Sequence, residues 1–180
     1  MHQVLPMRRS WSARLAATPA AQAALGVFAL SLATLLGAWF FQFVLRDPPC
    51  ELCLDERIPY YIVIPLSLLL AWAAVAPASR RLVTAGLAIV LITVLAGAAL
   101  GTYHAGVEWH WWAGPTDCTG PLTDLHAGGS LLSQLQSIHV VRCDEAAWRF
   151  LGISLAGYNA AISLALAVIA GCGLLSHKSQ

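Results

Sequence analysis

Four of the five cysteines fall into two pairs, Cys50/Cys53 and Cys118/Cys143, and the fifth, Cys172, stands alone in an apolar stretch. Glu51 and Leu52 separate Cys50 from Cys53. This Cys-x-x-Cys spacing is used by proteins that exchange thiols for disulfides, in which one sulfur attacks as a thiolate. The pair stands directly before an apolar segment, so Cys53 is expected near a helix N-terminus, where the partial positive charge favours a thiolate. Arg57 follows Cys53 by four residues. On a helix the two would share a face, and the guanidinium would favour the thiolate and bind a polar ligand oxygen. Two other readings of the cysteines stand beside redox chemistry. One is a structural zinc site, which takes about four ligands; four cysteines are at hand, with His104, His110, His126 and His139 nearby in sequence. The 24 residues between Cys118 and Cys143 fit no compact zinc ribbon. The other is a pair of inert structural disulfides.

The elements that must position these sulfurs are apolar. Of 180 residues, 58% are apolar and 11% charged, against about 25% charged in soluble domains. That composition excludes a disordered chain and argues against a soluble enzyme or a nucleic-acid binder. The apolar residues come in four uncharged blocks, Gln22–Leu45, Ile58–Ala76, Leu82–Tyr103 and Leu151–Ser176, of 24, 19, 22 and 26 residues. About 20 apolar residues cross a hydrocarbon core as a helix, and the short alternating segments of a membrane β-barrel are absent. The fold class read from this pattern is all-α, a four-helix transmembrane bundle. One membrane domain is expected over 1–180, with helices at about 22–45, 58–76, 82–103 and 151–175. Periplasmic loops are expected at about 46–57 and 104–150. The first block follows three arginines as a leader would, but it exceeds the 7–15 apolar residues of a cleaved signal, and a retained helix is expected.

Charge orients the bundle. Six basic residues (Arg8, Arg9, Arg14, Arg80, Arg81, Lys178) lie in the tails and the short central connection, whereas the other two connections hold four and all nine acids. The net charge of +1 is therefore +6 on one side against −5 on the other. The positive-inside rule places both termini in the cytoplasm. Both cysteine pairs then face outward, the oxidising side of a bacterial inner membrane, where disulfides persist.

Within 118–143, Leu131, Leu132, Leu135 and Ile138 recur at helical spacing, which predicts a short amphipathic helix on the membrane surface or on the helix tops. Trp109, Trp111 and Trp112 read as an interfacial aromatic belt, and Asn159 as an interhelical hydrogen-bonding residue. Cys172 reads as a small buried residue. Glu108 and Asp117 read as solvated loop acids, His104 as an interfacial histidine, and His110, His126 and His139 as surface residues.

Three local motifs occur in this frame. The first is Pro49-Cys50-Glu51-Leu52-Cys53-Leu54-Asp55-Glu56-Arg57-Ile58-Pro59-Tyr60. The second is Gly101-Thr102-Tyr103-His104-Ala105-Gly106-Val107-Glu108-Trp109. The third is Cys143-Asp144-Glu145 followed by Trp148 to Asn159. Together with the four helices and two loop pairs, they resemble the disulfide bond formation protein B (DsbB) family. The resemblance implies a quinone-dependent protein thiol–disulfide oxidoreductase. Such a protein reoxidises a periplasmic thioredoxin-like oxidase of the DsbA type and passes the electrons to a membrane quinone, ubiquinone or menaquinone. It implies that the partner attacks Cys118, that Cys118–Cys143 is the disulfide consumed, and that Cys50 and Cys53 restore it. It also implies that Cys53 faces the quinone and that Arg57 and His104 bind there. Asp55 departs from the larger, less polar residue usual in relatives, and an acid there opposes a Cys53 thiolate. The readings from other classes are a non-enzymatic four-helix scaffold with structural disulfides and a b-type cytochrome. The second needs histidine pairs at membrane depth, and no histidine falls within the four blocks.

Overall fold

The computed structural model describes residues 15, 18–76, 79–115 and 142–178. Among these, four helices are long and apolar enough to cross a membrane. Helix α1 (Pro19–Trp39) starts with proline in its first turn, where the missing N–H costs nothing, and runs on as one π-helical turn, Phe40–Val44. A short α2 (Glu51–Asp55) carries the Cys-x-x-Cys pair. Helix α3 (Ile58–Val75) follows at once and continues through Pro65. Helix α4 spans Arg80–Glu108. A two-stranded hairpin, β1 (Arg149–Phe150) and β2 (Ile153–Ser154), leads into α5 (Leu155–Lys178). This is the expected four-helix bundle. The candidate amphipathic helix at 131–138, together with Asp117, Cys118, His126 and His139, lies outside the described residues.

The bundle core is aliphatic. Val27, Val63, Leu87, Val90 and Leu166, one or more from each long helix, are almost wholly buried. The outer surface is equally apolar: Leu69, Trp72, Ile92, Val168 and Leu175 are each more than 60% exposed. Water would not tolerate such a belt, whereas lipid does. Cys172 faces this outer surface, not the core expected for it. Between helices no hydrophobic force acts in lipid, so close approach depends on small residues. Gly101 of α4 is the clearest case. A Cβ there would lie 3.0 Å from the Ala160 backbone nitrogen and 3.1 Å from the Asn159 amide nitrogen of α5.

Several boundaries differ from those read in the sequence, three of them with a clear local cause. Helix α1 begins at Pro19, three residues before the first block. Helix α4 continues past Tyr103 to Glu108, so His104 and Glu108 are helical. It ends in a Schellman motif: His110 adopts a left-handed φ of 58°, the Trp111 N–H donates to the Gly106 carbonyl at 2.9 Å, and the His110 N–H donates to Val107 at 3.0 Å. Glycine is the usual residue at that position. The uncharged block ends at Tyr103, and the histidine at the cap carries no glycine signal for the true stop. The last span starts at Leu155, because Leu151 and Gly152 both have positive φ (50° and 81°). They form the tight two-residue turn of a hairpin pairing Arg149 with Ser154 and Phe150 with Ile153, as primed turns do.

The Gly101 contact yields a stability test. Gly101→Val should push α5 away from α4 and destabilise the fold by about 1–3 kcal/mol, read as a lower melting temperature in detergent. A melting temperature equal to that of the wild type would show that the helices do not need this approach.

Candidate functional site

The site lies at the end of the bundle where α3 and α5 begin and α4 ends. Cys50 is the N-cap of α2, in an extended conformation, and its sulfur accepts the Cys53 backbone N–H at 3.2 Å. Cys50 and Cys53 are free thiols, with their sulfurs in contact at 2.7 Å. His104 Nε2 lies 3.6 Å from the Cys50 sulfur. Three donors thus converge on Cys50. Above all the Cys53 S–H, and also the His104 ring, hold its thiol well below the ordinary range, at about 5, against the opposing effect of burial. The cap position at this helix start belongs to Cys50, whereas the sequence placed Cys53 there. Cys53 stands in the third helical position and donates, while Cys50 stands at the cap and accepts.

His104 is held from its other side. Its Nδ1 donates to Glu56 Oε1 at 2.7 Å, and Asn159 Nδ2 donates to Glu56 Oε2 at 2.8 Å. The Tyr60 hydroxyl donates to Asn159 Oδ1 and lies 3.2 Å from Ser163 Oγ. Four segments meet through these bonds: the α2–α3 corner, α3, α4 and α5. His104 is only 2% exposed and Glu56 7%, so His104 is buried and not merely interfacial. Asn159 makes the interhelical bond expected of it. Glu108 is also corrected: it is buried rather than solvated, with an oxygen 4.0 Å from His104 Nε2.

Arg57 is buried as well, and its guanidinium donates to Gln42 Oε1 in the π-helical turn after α1. That contact ties it to the first helix. A cavity of about 460 Å³ opens here, with Phe41, Gln42, Cys53, Arg57, His104 and Ile162 among its lining. Its size is that of a small-molecule pocket. Apolar side chains form much of it, with the thiol pair and a guanidinium on its wall. A planar ring with two acceptor oxygens fits that donor set. Asp55 is exposed, outside the cluster.

Cys143 takes part in a disulfide. It is fully buried and packs with Cys50 and Leu52, with Cys53 and Leu100 against them. The segment after it is pinned by Arg142, which grips Asp144 through two bonds of 2.9 and 2.6 Å and keeps that carboxyl below its usual range. The structure thus brings together Cys50, Cys53, Arg57, His104 and Cys143, while Cys118 lies outside the described residues. Cys50, Cys53 and His104 place their donor atoms within 4.8 Å of one another, one ligand short of a closed structural zinc site.

Trp109, Trp111 and Trp112 are exposed at the end of α4, with the Trp112 ring stacked on Tyr103 at 6.1 Å. Sequence reasoning did not single out Glu56, Gln42 or Tyr60. A signal existed for the acids: Glu56 directly precedes Arg57 at the edge of an apolar block, and Glu108 is one helical turn beyond His104. Ionisable residues at membrane depth are functional candidates by default.

Among known proteins, the chain matches the family described as Disulfide bond formation protein DsbB over residues 20–173. It is 29% identical over 154 residues to an uncharacterized protein of Rickettsia prowazekii, covering 84% of this chain and 86% of that protein. It is 34% identical over 86 residues to Disulfide bond formation protein B 1 of Pseudomonas fluorescens, covering 48% of this chain and 47% of that protein. No solved structure matches.

The three donors on Cys50 set a pH dependence. Its folded value lies below the unfolded one, so ionisation stabilises the reduced fold fully above about pH 9. That contribution is lost as pH falls through about 5. Alkylation of Cys50 in the reduced protein, followed by mass spectrometry, should rise with a midpoint near pH 5. In His104→Gln the midpoint should move toward the free-thiol value of about 8.5. An unchanged midpoint in the variant would show that His104 does not act on this sulfur.

Proposed function

Because this chain belongs to the DsbB family of membrane oxidoreductases that act in disulfide bond formation, we propose that it reoxidises a soluble DsbA-type dithiol oxidase and delivers the electrons to a membrane quinone. The protein sits in the bacterial inner membrane as one domain, with both termini cytoplasmic and the site facing the periplasm. The observation that carries this reading is the packing of a free Cys50/Cys53 dithiol against Cys143, itself in a disulfide, on the wall of a ligand-sized cavity.

In the cycle, a thiolate of the reduced partner attacks Cys118 of a Cys118–Cys143 disulfide. The second partner thiol resolves the mixed disulfide, so the partner leaves oxidised and Cys118 and Cys143 remain as thiols. These exchange with a Cys50–Cys53 disulfide, restoring their own and leaving Cys50 and Cys53 reduced. Contact between Cys143 and Cys50 inside one apolar cluster shortens that exchange to neighbouring sulfurs. Oxidation of the Cys50/Cys53 dithiol then releases two electrons and two protons.

When bound, a quinone supplies the two-electron acceptor. Arg57 is placed to donate to a ring oxygen, with Gln42 holding the guanidinium at the cavity wall. Phe41 and Ile162 provide apolar walls. His104 favours the thiolate of Cys50, and Cys50 and Cys53 both line the cavity. A b-type cytochrome is less well supported: both ring nitrogens of His104 already face Glu56 and Cys50.

The test is quinone reduction by purified protein given a reduced DsbA-type partner. Turnover should require the quinone, and Cys→Ser at 50, 53, 118 or 143 should each abolish it. Arg57→Gln should raise the KM for quinone about 10-fold or more, as expected for a lost charge-assisted hydrogen bond of about 1.5–3 kcal/mol. Full turnover by Cys53→Ser, or no mixed disulfide with the partner through Cys118, would leave only a scaffold with structural disulfides.

A further inference from the structure

Glu108 has no part in the cycle above, yet it is built into the site. It stands on the last turn of α4, one turn beyond His104, and its side chain is 5% exposed. One carboxylate oxygen lies 4.0 Å from His104 Nε2. The other is buried without a hydrogen-bond partner, and the residue lines the cavity. A buried oxygen with no donor is costly, and its position beside a proton-carrying ring gives it a use.

The ring has two possible partners on its Nε2 side. While Cys50 is a thiolate, Nε2–H faces sulfur at 3.6 Å. Once Cys50 and Cys53 form a disulfide, that sulfur is no longer an anion, and Glu108 is the remaining acceptor at that nitrogen. The groups facing the pair from other elements are Cys50 and Glu56 on the α2 side and, from the hairpin, Ser154 and Arg149. The Arg149 guanidinium reaches the Glu108 backbone carbonyl at 3.5 Å, and Ser154 bonds the carboxylate, whose Oε2 stays without a partner.

We propose that Glu108 is the terminal proton acceptor of a relay running from Cys53 through Cys50 and His104. Resting on the oxidoreductase reading, it assigns a route to one of the two protons released. His104 gives its Nε2 proton to Glu108. As the pair is oxidised, Cys50 takes up the Cys53 proton across their sulfur–sulfur contact and passes a proton to the ring nitrogen. Each link passes one proton, so the net change is a proton lost from Cys53 and gained by the Glu108 carboxylate. The electron pair leaves separately, with the sulfurs, to the quinone. Glu108 acts through His104 and touches no reacting sulfur.

The experiment is single-turnover oxidation of the reduced full-length protein in lipid nanodiscs by a water-soluble short-chain benzoquinone, between pH 5 and 9, with and without formate. Glu108→Gln should be slowed about 100-fold, the scale of a lost proton-transfer group, and should lose the limb of the pH profile due to carboxylate ionisation. Formate should restore its rate in proportion to concentration, while leaving the wild type unaffected. Glu108→Asp should stay within a few-fold of wild type. A Glu108→Gln protein that oxidises at the wild-type rate overturns the relay. So does a slowed protein that ignores formate and is matched in slowness by Glu108→Asp, which would make the residue structural. If the wild type does not react with the benzoquinone, the quinone reading fails instead. The same series with diamide as oxidant then decides the relay by the same formate rescue.

Discussion

A carboxylate taken out of water at the edge of a membrane must be met by donors, and Glu56 is that carboxylate here. Desolvating such an ion costs several kcal/mol. The cost is offset by His104 on one oxygen and Asn159 on the other. Those donors come from α4 and α5, so satisfying one charge brings both helices to the α2–α3 corner. The backbone follows the same demand: Gly101 lets α4 come within van der Waals contact of α5 beside Asn159. With Nδ1 committed to Glu56, the ring presents Nε2 to Cys50 and to Glu108. The redox pair is positioned by the needs of a buried charge.

The same arrangement separates two environments. The lower bundle is an aliphatic core inside an apolar belt, built for lipid. The end that carries the site is a polar cluster beside the hairpin and the segment after Cys143. Between them lies the cavity, with a thiol, a guanidinium and an imidazole on its lining. In the proposed cycle, a thiol couple serving a soluble partner and a lipid-soluble acceptor needs such a junction. Water at the sulfurs would weaken the electrostatic bias toward a Cys50 thiolate, and isolation in lipid would leave the protons no exit.

Much of this was legible in the residues. The four apolar blocks and the Cys-x-x-Cys pair ahead of a helix yield the bundle and the candidate sulfurs. Asn159 could be read too, because an amide at membrane depth has few other uses. Which thiol accepts was not legible. Spacing places Cys53 near a helix start, but the cap position and the arrival of His104, 54 residues away from Cys50 in sequence, favour the other sulfur. Glu108 was misread because the end of α4 is marked by a left-handed histidine instead of a glycine. Arg57 was read against Cys53 because both lie in one short stretch, whereas its partner, Gln42, belongs to a different helix.

The sequence by itself determined what each segment must do in bulk: which stretches belong in lipid, which side carries the basic charge, and which residues can exchange disulfides. These depend on composition and local spacing, and both are properties of a chain before it folds. The tertiary structure decided which groups meet in hydrogen bonds. Hydrogen bonds to a buried carboxylate and a buried sulfur form between residues about 50 to 100 positions apart, and their strength depends on the exclusion of water, which exists only once the helices have packed.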